Sequence, residues 1–213
     1  MAIRIRSSFH TRGRPRSMAE LASVVAMLGW KLAVDSIKRM REAKFDIDLG
    51  KAYFDYVCEY LAFLSHAADR IAHRDLDPAQ RQEFTTALAI RLADVVEDNA
   101  DMLLGIAQPG QCRAHFLEVF NSAGADYAEY SYVADGTAPQ LVGGPDFGFR
   151  RCFAARVREG MPEKDRTWVY DQVMEIEIPE GIKALEKTLA GMFAAGEEAG
   201  SARRPSRTVL TGE

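Results

Sequence analysis

The chain of 213 residues is 47% hydrophobic and 27% charged, which is the composition of one ordinary globular domain. A chain of this length buries well over half of its unfolded surface, so its stability requires neither disulfides nor a structural metal. Its formal net charge is −4. Residues 1–17 contain five arginines and no acid, and residues 196–213 balance three glutamates with three arginines, so residues 18–195 carry a net charge of −9. Nucleic acid is therefore not expected as a partner, because binding to phosphates needs a basic surface.

The cysteines and the apolar segments indicate the compartment. Cys58, Cys112 and Cys152 are odd in number, scattered and free of C-x-x-C spacing, which excludes a small disulfide framework. Buried free thiols in a reducing compartment are the simplest interpretation, and they favour a cytoplasmic location. No apolar run approaches the roughly 18–20 residues that cross a bilayer, so we expect no membrane span.

Both ends of the chain have the composition of flexible segments. Residues 1–16 are rich in arginine and serine and have no hydrophobic period, which predicts a flexible basic arm. Three interpretations of this arm are open. It is a solvated tail, or it binds RNA, a membrane or an acidic protein surface, or it is an organelle transit peptide, which has a similar composition. Residues 196–213 are polar and predict a disordered tail, which leaves 17–195 as one all-helical domain.

Apolar residues recur at helical spacing along the first half of the chain and predict four helices, at 18–43, 51–74, 78–104 and 111–130. The first begins in an S-x-x-E capping box of Ser17 and Glu20. The third begins at Asp77-Pro78, where the aspartate caps free N–H groups and the proline suits the first turn. The second is among the most apolar segments and contains neither Gly nor Pro, so we expect it to be the central packing helix.

Shorter helices are predicted in the second half, at 146–160, 163–177 and 179–195. Val169, Val173 and Ile176 form the expected buried stripe of the sixth helix, which ends because Pro179 cannot continue it. Between the fourth and fifth helices, residues 131–145 contain three glycines and two prolines and predict a long surface loop.

The chain contains no convincing strand. Residues 2–6 and 174–178 alternate as strands do, but the second segment fits better as the end of a helix. The sequence therefore predicts an all-α, single-domain bundle of about seven helices with flexible termini. Four helices are N-terminal, three of them long, and the shorter helices follow.

The second helix carries a polar stripe opposite its strongest apolar face. With 100° per residue, Glu59, His66, Asp69, Arg70 and His73 fall within this stripe. Of these, Glu59, His66, Asp69 and His73 are candidate metal ligands. Imidazole and carboxylate groups on successive turns can bind zinc, iron or manganese. His115 and Glu118 on the fourth helix complete a set of six candidate metal ligands.

The metal hypothesis departs from the pattern of di-iron bundles. Such a bundle needs a Glu on each of two helices and a Glu-x-x-His on each of two others. This sequence contains no E-x-x-H, and its nearest fragment is His115-x-x-Glu118, in the reverse order. We therefore expect no cofactor, with a transition metal as the alternative.

Two other interpretations of the polar stripe remain open. A plain polar face, solvated or hydrogen-bonded to a neighbouring helix, would let Asp69 bridge His66 and His73. An acid–base site would use one of the histidines as the base and Asp69 as its orienting partner, but no nucleophile accompanies it. No catalytic residue is assigned.

Two further groups of side chains have alternative interpretations. The acids at helical spacing in the third helix form either a solvated face or a docking surface for a basic partner, and they are Asp94, Glu97, Asp98 and Asp101. Aromatic residues are concentrated from Tyr127 onwards, where they line either a pocket for an apolar ligand or the core.

The sequence contains neither a glycine-rich phosphate loop nor a G-x-S-x-G motif. The lack of a complete catalytic constellation and the long amphipathic helices predict a non-enzymatic protein that acts through protein–protein interaction as a homodimer. The expected partner is therefore a second copy of the chain or another protein. A metal-binding bundle protein that uses the six ligands is the alternative, and a carrier of a small apolar ligand is the third hypothesis.

Overall fold

The computed structural model describes residues 16–47, 50–99, 108–133 and 144–201, with the side chains of the last helix up to Met192. These residues contain seven α-helices: α1 (Met18–Glu42), α2 (Lys51–Asp75), α3 (Pro78–Asp98), α4 (Gln111–Tyr127), α5 (Phe147–Gly160), α6 (Arg166–Gln172) and α7 (Ile178–Ser201). They also contain one antiparallel pair of two-residue strands, β1 (Tyr132–Val133) and β2 (Gly144–Pro145). The predicted all-α bundle of about seven helices is confirmed.

The starts of α1 and α3 are determined by capping side chains. Ser17 Oγ accepts from the Glu20 amide at 3.2 Å, and Glu20 Oε2 accepts from the Ser17 amide at 3.0 Å, which completes the predicted capping box. Asp77 and Gln80 form the same arrangement at α3, with Pro78 in its first turn. These bonds satisfy backbone donors that have no helical acceptor.

α2 is the central helix of the bundle. It packs against α1, α3, α4, α5 and α7, and most of its side chains between Tyr53 and Ala72 are buried. On the side of α5, Phe63 stacks on Phe153 with ring centroids 4.4 Å apart. Burial of apolar surface contributes about 25 cal/mol per Å², so these large rings are a major source of stability.

The sixth helix does not end where the sequence predicts. α6 passes through a π-helical turn, Val173–Glu177, directly into α7. In an uninterrupted α-helix, Pro179 would offer no N–H to the Glu175 carbonyl, and its ring would press on that carbonyl. The π-turn widens the backbone by one residue at this point and relieves the clash, so the chain remains helical past Pro179.

The same π-turn changes which side chains are buried. Val169 and Val173 are buried as predicted, but Ile176 is 39% exposed and Glu177 is fully buried. The extra residue in the widened turn shifts all later positions around the helix axis. The prediction that Ile176 belongs to the buried stripe is therefore wrong, and 174–178 is helical rather than extended.

Several predicted boundaries differ from the observed ones. α4 ends at Tyr127 instead of residue 130, and α7 runs to Ser201 instead of residue 195. A 3-10 turn, Glu163–Asp165, precedes α6. The basic arm up to residue 15, the end of the predicted third helix and the tail after residue 201 lie outside the described residues, as does most of the predicted loop. None of the described helices is long and apolar enough to cross a membrane.

Candidate functional site

The structure separates the six predicted metal ligands. Asp69 and His73 face α3, His66 contacts α4, Glu59 contacts α5, His115 lies near the start of α2, and Glu118 is exposed. Among the described residues, no three His, Cys, Asp or Glu side chains are grouped so that they could hold a metal ion. The polar stripe of α2 instead connects this helix to its neighbours.

Asp69 connects α2 to α3. Its Oδ1 accepts from Arg81 Nε at 2.8 Å and from Thr85 Oγ1 at 2.7 Å, and Arg81 Nη2 donates to Oδ2. Burial opposes the ionisation of Asp69, but these hydrogen bonds outweigh it and lower the pKa of the carboxyl. Arg81 Nη1 also lies 3.3 Å from His73 Nδ1. Asp69 is thus joined to His73 through a guanidinium of α3 and does not bridge His66 and His73 directly.

His66 is a packing residue between α2 and α4. Its Nε2 donates to the Phe120 carbonyl oxygen at 2.9 Å, and its ring stacks on the Phe120 ring at a centroid distance of 4.4 Å. Burial lowers the pKa of His66, and the hydrogen bond to Phe120 opposes that shift. Gly124, one turn later on α4, leaves room for the imidazole, because a Cβ there would lie 2.8 Å from His66 Cε1.

Glu59 is held by Arg156 of α5. Arg156 Nε and Nη2 donate to the two Glu59 oxygens at 2.7 and 3.0 Å, and its Nη1 donates to Asp126 of α4 at 2.5 Å. Burial raises the pKa of Glu59, and the Arg156 charge opposes this shift. Burial also disfavours the charged form of Arg156, but the two carboxylates more than offset this and raise its pKa. This network connects three helices through one guanidinium that lies between two carboxylates.

A cleft of about 230 Å³ opens between α2, α4 and α5 beside this network. Asp55, Glu59 and His115 contribute to its lining, so two of the six predicted ligands share one cavity. His115 Nε2 lies 3.6 Å from Asp55 Oδ1, and Lys51 Nζ donates to Asp55 Oδ2. The two carboxylates therefore already have Lys51 and Arg156 as counter-ions, and a divalent ion would have to displace both cations.

Two of the acidic residues predicted on the third helix, Asp94 and Glu97, form hydrogen bonds to the start of α4. Glu97 accepts from the backbone amides of Gly110 at 2.5 Å and Arg113 at 2.9 Å, and these bonds lower the pKa of Glu97. They also satisfy free N–H groups at the start of α4. Asp94 Oδ1 accepts from Arg113 Nε at 3.1 Å. Asp98 is exposed, and Asp101 lies outside the described residues.

The three cysteines are free thiols, as predicted. Cys58 and Cys112 are buried, whereas Cys152 is half-buried. Burial raises the pKa of all three thiols, which keeps them protonated and weakly nucleophilic near neutral pH.

The late aromatic residues divide between core and surface. Tyr127, Phe149 and Phe153 are buried, and the Tyr127 and Phe149 rings stack at a centroid distance of 4.3 Å. These three residues belong to the hydrophobic core, which is one of the two interpretations of the late aromatic residues. Phe147 and Trp168, in contrast, are exposed.

A groove of about 520 Å³ lies between α5 and α6. Two of the late aromatic residues, Phe147 and Tyr170, line it, but the sequence does not predict that arginines surround them. The lining of the groove includes Phe147, Arg151, Ala155 and Arg158 of α5 and Arg166 and Tyr170 of α6. The four residues of α5 are spaced i, i+4, i+8 and i+11, which places them on one face of that helix. We call this opening the arginine groove. The spacing of its arginines is visible in the sequence, but the concavity depends on how α6 is placed.

An apolar ridge lies on another face of α6 and of the π-turn. Trp168 is 68% exposed and Ile176 is 39% exposed. One α-turn and one π-turn together span about eight residues, so these two side chains lie two turns apart on the same side of the helix. Trp168 lies two positions from both Arg166 and Tyr170, which is about 160° around α6, so the ridge and the arginine groove are separate surfaces. We use the name apolar ridge for Trp168 and Ile176.

Comparison with known protein-family models, curated proteins and solved structures finds no significant similarity to this chain. The geometry of the molecule is therefore the basis on which its function is argued.

Proposed function

We propose that this protein is non-enzymatic and acts through protein–protein interaction, as a homodimer whose two copies meet at the apolar ridge. The observation that carries the proposal is the exposure of Trp168, which leaves 68% of a large indole side chain in water. Tryptophan is among the residues that contribute most to binding at protein interfaces. A contact that covers this ring would remove the unfavourable hydration of its apolar surface.

The apolar ridge is more than a single exposed hydrophobic residue, which would need no explanation. Trp168 and Ile176 lie on one side of a continuous helical segment. Full burial of a large apolar side chain contributes about 1.5–3 kcal/mol. A two-fold axis brings each ridge against its own copy, so one patch per chain is sufficient and four side chains are buried together.

The rim of the apolar ridge is acidic. Asp171 and Glu175 are exposed on the same helical segment. In a two-fold contact these carboxylates approach the equivalent carboxylates of the second copy, and like charges repel at low ionic strength. The proposed dimer is therefore of moderate affinity and becomes more stable as salt is added.

Light scattering of the full chain across the micromolar concentration range tests the homodimer. The mass should rise with concentration towards twice that of the chain. Trp168→Ala should weaken the association by about tenfold or more, which corresponds to about 1.4 kcal/mol. Ile90→Ala is the matched control, because Ile90 is 44% exposed but lies on α3. A mass of one chain at every concentration, or an equal effect of Ile90→Ala, would exclude a dimer at the ridge.

Tryptophan fluorescence provides a second readout of the same contact. The chain contains two tryptophans, Trp30 and Trp168, so a Trp30→Phe variant reports on Trp168 alone. An indole that leaves water emits at shorter wavelength. The emission of this variant should shift to shorter wavelength as its concentration rises, and a constant spectrum over a range in which the mass doubles would place the contact elsewhere.

The metal-binding alternative has one observation in its favour. Glu59 and His115, two of the six predicted ligands, line the same cleft as Asp55, although the three side chains are not grouped as a metal site in the described part of the chain. Elemental analysis of protein purified without chelator tests this alternative. One zinc, iron or manganese per chain that is lost in His115→Ala would favour it, whereas metal-free protein would remove it.

A further inference from the structure

We propose that the arginine groove binds a small anionic ligand that carries a flat apolar group, such as an aromatic ring with a phosphate or carboxylate. The groove and the apolar ridge lie on different faces of α6, so this proposal does not depend on the homodimer. It rests on three observations, which are the charge of the lining, the lack of internal counter-ions and the shape of the space.

The charges that line the groove have one sign. Arg151, Arg158 and Arg166 contribute guanidinium groups, and no carboxylate of the described residues lines it. The side chains of Arg151 and Arg158 are exposed and form neither an ion pair nor a hydrogen bond within the described part of the chain. Arg166 Nε donates to the Met161 carbonyl oxygen at 3.0 Å, which fixes its guanidinium beside the groove.

A structural arginine of α5, Arg156, provides a comparison, because it is paired with carboxylates inside the bundle. Arg156 lies about 140° around the helix from Arg151 and binds both Glu59 and Asp126. Arg151 and Arg158 have no such partners. A solvated helix face would account for two exposed arginines, but not for three that border one concavity without an acid. Residues 18–195 carry a net charge of −9, so this groove is a local region of positive potential on an acidic domain. Such a region attracts anions.

The shape of the groove leaves a space for the ligand between the charges. Arg151, Ala155 and Arg158 occupy successive turns on one face of α5, so the residue between the two arginine positions has only a methyl side chain. The volume of about 520 Å³ is within the range of small-molecule sites, about 300–1,000 Å³.

The lining also determines the class of ligand. Guanidinium groups bind phosphate and carboxylate oxygens through pairs of parallel N–H donors. Phe147 and Tyr170 add two aromatic rings to the lining, which favour a flat apolar group over a fully solvated ion. A ligand that has both an anionic group and a ring uses all of these contacts.

Isothermal titration calorimetry with the full chain at low salt tests the class of ligand. Phenyl phosphate and benzoate carry both features, inorganic phosphate carries only the charge, and phenol carries only the ring. Phenyl phosphate or benzoate should bind about fivefold or more tightly than inorganic phosphate, and phenol should not bind measurably. Whichever of the two acids binds more tightly identifies the anionic group as phosphate or carboxylate.

Substitutions separate a built site from general charge attraction. Ala155→Leu keeps every arginine but fills the space between them, and it should weaken the binding of phenyl phosphate by about tenfold or more. The double variant Arg151→Gln/Arg158→Gln should have the same effect. Arg91→Gln, at an exposed position on α3, is the matched control and should leave binding unchanged. Phe147→Ala should remove the preference for phenyl phosphate over inorganic phosphate.

Three outcomes would overturn the proposal. Binding that survives Ala155→Leu, or that falls equally in Arg91→Gln, would show attraction to the overall surface charge. Equal affinity for phenyl phosphate and inorganic phosphate would remove the ring from the ligand class. Failure of every probe to bind would remove the site. Trp168→Ala should leave phenyl phosphate binding unchanged, so a failure of the homodimer is recognisable separately.

Discussion

Glu177 is a buried carboxylate in the π-turn, with no surface exposed to water. Arg39 of α1 donates to Glu177 Oε2 through Nε at 3.1 Å and Nη2 at 2.5 Å, and Gln172 Nε2 donates to Oε1 at 3.0 Å. The hydrogen bond to Glu177 raises the pKa of Arg39. The carboxylate takes a core position because the widened turn places residue 177 inward, and α1 supplies the opposite charge.

Arg39→Ala should destabilise the protein strongly, because it leaves the Glu177 carboxylate buried without a counter-ion. The expected loss in the free energy of unfolding is about 3 kcal/mol, measured by urea denaturation. The double variant Arg39→Met/Glu177→Met should recover most of this loss, since a well-packed apolar pair can replace a buried ion pair. A loss below about 1 kcal/mol in Arg39→Ala would show that water reaches the carboxylate.

His66 should make stability depend on pH. Burial lowers the pKa of His66 below its value in the unfolded chain, which is about 6.5. The unfolded chain therefore takes up the proton first, so the free energy of unfolding falls as the pH decreases from about 6.5 through the folded pKa. The nearest charged side chains have mixed effects, because Asp69 favours protonation while Arg70 and Arg156 oppose it.

His66→Gln isolates this contribution, because a glutamine amide can still donate to the Phe120 carbonyl but does not titrate. The free energy of unfolding of both proteins should be measured between pH 8 and pH 5. The difference between them should be constant above pH 7 and should change below about 6.5 in favour of the variant, by at most about 1.4 kcal/mol per pH unit. Parallel profiles over this range would contradict the buried neutral imidazole.

At the scale of helices, local signals predict where most elements begin and which residues they bury. The capping boxes at Ser17 and Asp77 and the apolar run of α2 are readable because they depend on neighbours a few residues apart. The π-turn is not readable in this way. Val169, Val173 and Ile176 fit an α-helical stripe, and only the packing of the bundle reveals that an extra residue shifts the pattern.

The crossing of α2 and α4 depends on Gly124. A Cβ at this position would lie 2.8 Å from His66 Cε1 and 3.2 Å from Nε2. The imidazole cannot move away easily, because it is stacked on Phe120 and hydrogen-bonded to its carbonyl oxygen. Gly124→Ala should therefore lower the free energy of unfolding by about 1–3 kcal/mol in thermal or urea denaturation.

Gly191→Ala is the matched control for this substitution. Gly191 lies inside α7, and a Cβ there would meet no atom within 4 Å. Alanine has the higher helix propensity, so this variant should gain up to about 1 kcal/mol. If the free energy of unfolding falls in Gly124→Ala and rises in Gly191→Ala, close packing against His66 is the reason that position 124 requires glycine. An equal gain in both variants would show that α4 moves to accommodate the methyl group.

At the scale of the molecule, the sequence predicts the class of fold but not which polar groups meet. The residues of the Arg156–Glu59 pair are 97 positions apart, and those of the Arg39–Glu177 pair are 138 apart. Periodicity places each of these side chains on a face of its own helix, whereas the partner depends on how whole helices pack. The sequence therefore predicts the polar stripe of α2 but not the side chains that bind it. The arginine groove cannot be predicted without knowing how α5 and α6 pack.

The apolar ridge and the arginine groove should respond to salt in opposite directions. Screening shortens the range of charge interactions from about 10 Å at 0.1 M to about 3 Å at 1 M. Added NaCl should strengthen the dimer, because it reduces the repulsion between the exposed carboxylates of Asp171 and Glu175 in the two copies. The same addition should weaken phenyl phosphate binding, because it screens the guanidinium groups of the groove.

Light scattering and calorimetry on one preparation, between 0.1 M and 1 M NaCl, measure both responses. The double variant Asp171→Asn/Glu175→Gln should reduce the salt response of the dimer and leave that of phenyl phosphate binding unchanged. If the dimer affinity and the phenyl phosphate affinity changed in the same direction with salt, either the apolar contact at the ridge or the charge attraction at the groove would be wrong. Opposite responses, separated by this variant, would instead show that α6 presents two independent binding faces, one governed by apolar burial and one by charge.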